Sequence, residues 1–215
     1  MRTTARMLIT AGTVASALLV APAAANASPV VLSQGHVDVV DVEYEDGAIE
    51  VHVHDETVEP GVERDPADVL FKVKKQAKTT VPSNPAYSFL GAPGDPVWIL
   101  PQLQNPALLW AGLGTEELEP GVFQGDSVNV KFVNVIGPDD VSLYTTSGTG
   151  VPTVLVDSGD GLPDTVALPV GSHLHLNWAF EQAGTYKIKL KVTGTLATGG
   201  HVSSDVVTYR FKVVQ

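Results

Sequence analysis

The feature that most constrains this chain is a two-residue alternation of polar and apolar side chains, which recurs along most of its length. It is plainest at Gly171-Ser172-His173-Leu174-His175-Leu176-Asn177-Trp178-Ala179-Phe180. Read as one strand, this stretch places Leu174, Leu176, Trp178 and Phe180 on one face. His173, His175 and Asn177 fall on the other. After Gly184 the pattern repeats, with Tyr186, Ile188, Leu190 and Val192 opposed to Lys187, Lys189 and Lys191. Val207, Tyr209, Phe211 and Val213 close the series. No long segment shows the 3.6-residue period of a surface helix. The prediction is an all-β chain, an immunoglobulin-like β-sandwich.

The earlier part follows the same rule with more punctuation. Residues 36–44 and 48–55 flank Glu45-Asp46-Gly47, and an Asp-Gly pair between two β-rich runs predicts a hairpin. In the second run Ile49, Val51 and Val53 turn inward, leaving Glu50, His52 and His54 outward. In the first run the alternation slips at Val39-Val40, which predicts a β-bulge. Residues 69–73, 127–135, 141–144, 154–157 and 165–168 read as further strands. Residues 79–119 are Pro-rich and carry Trp98 and Trp110. They read as a long insertion, with a strand at 96–100 and a helical turn within 105–113.

Arg2 and Arg6 precede an apolar run from Met7 to Val20, and Ala25-Asn26-Ala27 stands before Ser28. This is the pattern of a cleaved secretion signal over residues 1–27. Residues 28–215 are then expected as one secreted sandwich domain, free outside the cell or associated with its surface. The chain has no cysteine, so burial rather than disulfides must hold it. The leader takes two of the 13 basic residues and none of the 24 acidic ones, so the remainder is more acidic than the whole chain's −11. Nucleic acid and anionic lipid are poor partners for such a surface, and cations are natural ones.

His36 and Asp38, His52 and His54, and His173 and His175 form three i, i+2 pairs, each on one face of its strand. Zinc takes three or four ligands at about 2.0–2.3 Å in a tetrahedral arrangement and readily accepts neutral imidazole. His173 and His175 are expected as direct ligands, with His36 as the third. Asp38, His52 or His54 would supply a fourth ligand or support the others. A polar hairpin face accounts equally for His52 and His54, and a second, weaker site is the other reading. Affinity is expected to fall as pH drops through the ordinary imidazole range, about 6–7. With no cysteine, and Met1 and Met7 both in the leader, the chain offers no soft donors for Cu(I). Zinc leads, while copper, manganese and haem iron stay open.

Other motifs are weaker. Asp157-Ser158-Gly159-Asp160-Gly161-Leu162-Pro163-Asp164 is oxygen-rich but off the EF-hand spacing, and it reads as turn chemistry. No G-x-S-x-G elbow, Walker loop or H-E-x-x-H helix is present, so no catalytic residue is assigned and no enzyme is expected. Trp98 and Trp110 support a rival from another class, a cell-envelope adhesion module with an aromatic contact surface.

Four segments carry a family resemblance: Gln34-Gly35-His36-Val37-Asp38, Val97-Trp98-Ile99-Leu100-Pro101-Gln102, Leu109-Trp110-Ala111-Gly112, and the stretch from His173 to Phe180. In this order they span essentially the whole mature chain and resemble the choice-of-anchor M family, also described as the actinobacterial surface-anchored protein domain. His36, His173 and His175 fall on that pattern, and His52 and His54 are additional to it. Gly137-Pro138-Asp139 stands in place of Gly-Pro-Gly. The resemblance implies an exported protein found beside ABC-type metal transporter components. No C-terminal anchor is legible, which implies a freely secreted or transporter-associated member. The expectation is a secreted zinc-binding protein whose partners are the substrate-binding or surface components of an ABC-type metal uptake system.

Overall fold

Asp46 and Gly47 make the first corner. Both have positive φ (50° and 85°), as a two-residue type I′ turn requires, and such a turn matches the twist of the strands it joins. The computed structural model describes residues 28–215, and the leader expected over residues 1–27 lies outside the described residues. Among the described residues no helix is long and apolar enough to cross a membrane.

The strands run in chain order as β1 (Val30–Leu32), β2 (Gly35–Glu45), β3 (Ala48–Asp55), β4 (Val62–Arg64), β5 (Val69–Val73) and β6 (Lys78–Thr80). β7 (Pro96–Leu100), β8 (Leu109–Gly114), β9 (Ser127–Ile136), β10 (Val141–Thr146), β11 (Pro152–Asp157) and β12 (Asp164–Pro169) follow. β13 (His173–His175), β14 (Asn177–Phe180), β15 (Gly184–Thr195), β16 (His201–Ser203) and β17 (Val207–Val213) complete the chain. Short 3-10 turns at Pro66–Asp68, Lys75–Ala77 and Pro85–Leu90 are the helical elements. The fold is all-β, as the alternation predicts.

Three sheets pack in a sandwich-like arrangement. The largest runs β1-β5-β17-β15-β9-β12, with β16 paired to β15. A second runs β11-β10-β14-β7-β6, and a third β13-β8-β2-β3-β4. One hydrophobic cluster draws on all three, from Val37 and Ala111 through Phe132 and Phe211 to Trp178. Trp178 of the second sheet meets Phe211 of the first at 5.6 Å between ring centroids and Phe132 at 6.3 Å. Each fully buried side chain of this size contributes about 2–3 kcal/mol by leaving water, so this contact is a principal tie between the sheets.

Two expectations change. The stretch from His173 to Phe180 is not one strand. Leu176 is a switch point: His173–His175 pairs with β8 in the third sheet, and Asn177–Phe180 pairs with β7 and β10 in the second. Asn177 therefore leaves the histidine face. Its amide is buried and engaged, accepting from the Gln102 N–H (2.9 Å) and donating to the Tyr144 carbonyl (3.2 Å). Residues 79–119 also belong to the framework, because they supply inner strands of two sheets, β7 and β8. The turn expected within 105–113 is confined to residues 105–108, where the Leu108 N–H donates to the Asn105 carbonyl at 2.9 Å, and residues 109–114 form β8, buried between β13 and β2. Gly112 and Gly114 fill the positions where a strand usually shows its polar half, which hides the alternation.

Candidate metal centre

The outer face of the third sheet is set by one irregularity. Asp38 pairs with His54 of β3, but the next pair is Asp41 with His52, so β2 spends an extra residue between them. The same slip appears against β8. This is the bulge expected at Val39-Val40, and both valines are buried. In a regular strand Asp41 would lie opposite Asp38 in phase and enter the core. The bulge returns it to the outer face with His36, Asp38 and Glu43.

Register then builds rows across the sheet. His175 of β13 lies beside Gly112, Gly112 beside Asp38, Asp38 beside His54, and His54 beside Glu63. One row further, His173 lies beside Gly114, Gly114 beside Asp41, and Asp41 beside His52. Because β8 has no side chain at 112 or 114, the imidazoles of β13 reach over it to β2. A Cβ on Gly112 would stand 2.2 Å from Asp38 Oδ1, 3.0 Å from His173 Nε2 and 3.1 Å from His175 Cε1. The convergence depends on that glycine.

The result is a group of three imidazoles whose ring centroids lie 4.8–5.0 Å apart. His36 Nε2 and His173 Nε2 are 3.1 Å apart. Asp38 Oδ1 is 2.7 Å from His173 Nε2 and 3.9 Å from His36 Nε2. It is buried and lacks a well-aligned hydrogen bond. Donors around a tetrahedral zinc are about 3.3 Å apart, given bonds near 2.0 Å to nitrogen. These spacings bracket that value, and His36, Asp38, His173 and His175 form a cluster able to hold a metal ion.

The far side of each ring is also engaged. His36 Nδ1 lies 2.7 Å from Glu56 Oε2, and His173 Nδ1 3.1 Å from Glu116 Oε2. His175 Nδ1 is buried toward the Ala111 backbone carbonyl without a well-formed bond. Its ring stacks on Trp110 at 3.7 Å and 6°. Trp110 is fixed in turn, its Nε1–H donating to the Gln102 carbonyl at 2.9 Å. Asn177 holds Gln102, so the residue displaced from the histidine face still supports it. At the start of β13 the Thr115 hydroxyl donates to the Pro169 carbonyl (2.6 Å), and the Ser172 N–H donates to Thr115 Oγ1 (3.0 Å).

Burial governs the charge states. It lowers the His175 imidazole to about 4, with the Ala111 carbonyl opposing and His173 and His36 adding to the shift, so His175 is neutral at ordinary pH. Burial also raises the Asp38 carboxyl, against the pull of His173 and His36. The hydrogen bond from His36 lowers Glu56.

His52 and His54 face carboxylates rather than the other imidazoles. His52 Nε2 faces Glu50 Oε2 at 3.3 Å and Glu43 Oε2 at 4.0 Å. His54 Nδ1 is bonded to Glu63 and lies 3.9 Å from Asp41 Oδ2. Burial alone would lower His54, but the bond and charge of Glu63, with Asp41 and Glu56, outweigh it and raise the imidazole. Asp41 is pushed up to about 7, first by burial and then by Glu63 and Asp38. Trp98 is 3% exposed and donates from Nε1 to the Val214 carbonyl, so it forms no contact surface. The Asp157–Asp164 segment is bonded as a turn, with the Gly159 N–H on Asp157 Oδ1 and the Asp157 N–H on Asp164 Oδ2.

The site residues that sequence reasoning misses are Gly112, Gly114, Trp110 as a stacking partner, Asp41, and the outer carboxylates Glu56 and Glu116. A usable signal exists for three of them. A bulge at Val39-Val40 places Asp41 on the face of Asp38, and Gly-x-Gly in an apolar run marks a close approach. Compared with known proteins, the chain matches no protein-family model, no curated protein and no solved structure.

Proposed function

We propose that the protein binds a transition-metal ion, zinc by its donor set, through His36, His173, His175 and Asp38. One observation carries this reading. His36 and His173 each turn Nδ1 toward a carboxylate, His36 in a hydrogen bond with Glu56 and His173 within 3.1 Å of Glu116. Their Nε2 atoms face each other at 3.1 Å, beside the Asp38 carboxylate. Two imidazole nitrogens and a carboxylate oxygen meeting this closely share either a proton or a metal ion, and a metal ion engages all of them at once. Imidazoles held by outer carboxylates are a usual arrangement at zinc sites. Three nitrogens and one oxygen, with no sulfur, suit zinc in a tetrahedral site.

In this reading the ion is cargo for a surface ABC-type metal uptake system, and the partner is one of that system's substrate-binding or surface components, as the resemblance to the choice-of-anchor M family implies. The test is zinc titration of untagged protein after chelation, with His173→Ala/His175→Ala as the comparison. A tightly held ion lost in the double variant is the expected result. Tight binding that survives the double substitution would sink the assignment.

A further inference from the structure

We infer that Asp41, His54 and Glu63 form a second divalent-cation site on the same sheet face, with Glu117 completing it. Asp41 is the observation that points to a ligand. It is 4% exposed, and its ion-pair partner among the described residues, the His54 imidazole, stands 3.9 Å from its Oδ2, beyond hydrogen-bond reach. Burying a charged carboxylate is costly unless it is paired, protonated or bound to a metal. The Val39-Val40 bulge spends a residue to bring it there.

The surroundings supply donors and no fixed positive charge. Asp41, His54 and Glu117 each place a ligand atom within 4.8 Å of the others, and Asp41, Glu43 and Glu63 do the same. His54 Nδ1 lies between Glu63, to which it is bonded, and Asp41 Oδ2 at 3.9 Å. Among the described residues, the ion pair that involves a lysine or arginine is Arg64 with Asp55, so Asp41, Glu63 and Glu117 have no such partner. Two glycines permit the approach. A Cβ at Gly114 would stand 2.8 Å from Asp41 Oδ1 and 3.4 Å from Asp38 Oδ2, and one at Gly61 would stand 2.8 Å from His54 Nε2.

One imidazole and several carboxylates make a harder donor set than the three-imidazole group, so this site holds zinc less tightly. The two sites are neighbours. Asp38 and Asp41 flank Gly114, and Glu56 reaches His36 Nδ1 with one oxygen (2.7 Å) and His54 Nε2 with the other (3.8 Å). The inference uses residues outside the trio, so either site can fail without the other.

The experiment is equilibrium dialysis of untagged protein against Zn²⁺, with metal counted per chain. Wild type should bind two ions of unequal affinity. His54→Ala/Glu63→Gln should keep the tight ion and lose the weak one, and His173→Ala/His175→Ala should do the reverse. Glu63→Gln alone, a conservative change at a side chain 35% exposed, guards against misfolding. With an unchanged thermal melt it should weaken the second ion by about 10-fold or more, the scale for loss of a supporting ligand. One ion in wild type matched to the trio, or two ions undisturbed by Glu63→Gln, would overturn the second site. A single weak ion sensitive to Glu63→Gln would support it and remove the three-imidazole reading.

Discussion

His173-Leu174-His175 and His52-Val53-His54 are the same motif on the same face of the same sheet, and they meet different chemistry. On β13 the rings lie beside glycines, reach over β8 to His36 and Asp38, and are backed by Trp110. On β3 the rings lie beside Asp38 and Asp41 and among Glu43, Glu50 and Glu63. Spacing puts two imidazoles on one face. The neighbouring strand decides whether they converge with nitrogen or with oxygen.

The sharpest way to break this comparison is to remove each pair. His173→Ala/His175→Ala should weaken tight zinc binding by more than about 100-fold, because loss of outer partners alone costs 10- to 100-fold. His52→Ala/His54→Ala should change the tight ion by less than about 10-fold, since these rings stand outside the trio. Equal losses measured by competitive titration would mean that the two pairs share one ion.

The glycines come next. Gly112→Ala drives a methyl into Asp38 and His173 and should cost the tight site about 10- to 100-fold. Gly114→Ala presses first on Asp41, so it should act mainly on the weaker ion. Titrating both variants separates the two halves without touching a ligand.

The halves also carry opposite pH signatures in metal-free protein. Asp41 is raised to about 7, so between about pH 4 and 7 the folded chain holds a proton that the unfolded chain has released. Stability from this group is complete below the unfolded value and is lost as pH rises through 7. His175, lowered to about 4, works the other way: its contribution is present above about pH 6.5 and lost as pH falls toward 4. Asp41→Asn should therefore stabilise the metal-free chain at pH 8, by about 4 kcal/mol at most, with the gain vanishing near pH 4. Denaturant melts at the two pH values check it.

The smallest effect is spectroscopic. Trp110 is the tryptophan that touches the imidazoles, so zinc should alter its fluorescence. Trp110→Phe should abolish that change while costing the tight ion less than about 10-fold, the scale of an aromatic pair worth about 0.5–1.5 kcal/mol.

Much of this was legible in the alternation. The strands at 48–55, 69–73 and 207–213, the Asp46-Gly47 corner and the bulge at Val39-Val40 follow from period and turn residues alone. The candidate ligands on β2 and β13 follow too. The break at Leu176 does not, because two short strands in different sheets can carry one unbroken alternation across their junction. β8 stayed hidden because its outward positions hold Trp110, Gly112 and Gly114, which show no polar phase. The carboxylates that orient the rings, Glu56 and Glu116, sit in connections, where strand periodicity has nothing to say.

His36 and His173 stand 137 residues apart in the chain and 3.1 Å apart in space. No fragment ending before β13 can assemble the trio, so a growing or unfolded chain offers at most an isolated pair of imidazoles. Closing so long a loop carries an entropic cost that the folded sheet has already met. On the proposed metal-binding function, a captured ion is a clasp fastened last, and metal retention is a readout of whether the first hairpin and the final third of the chain have found each other.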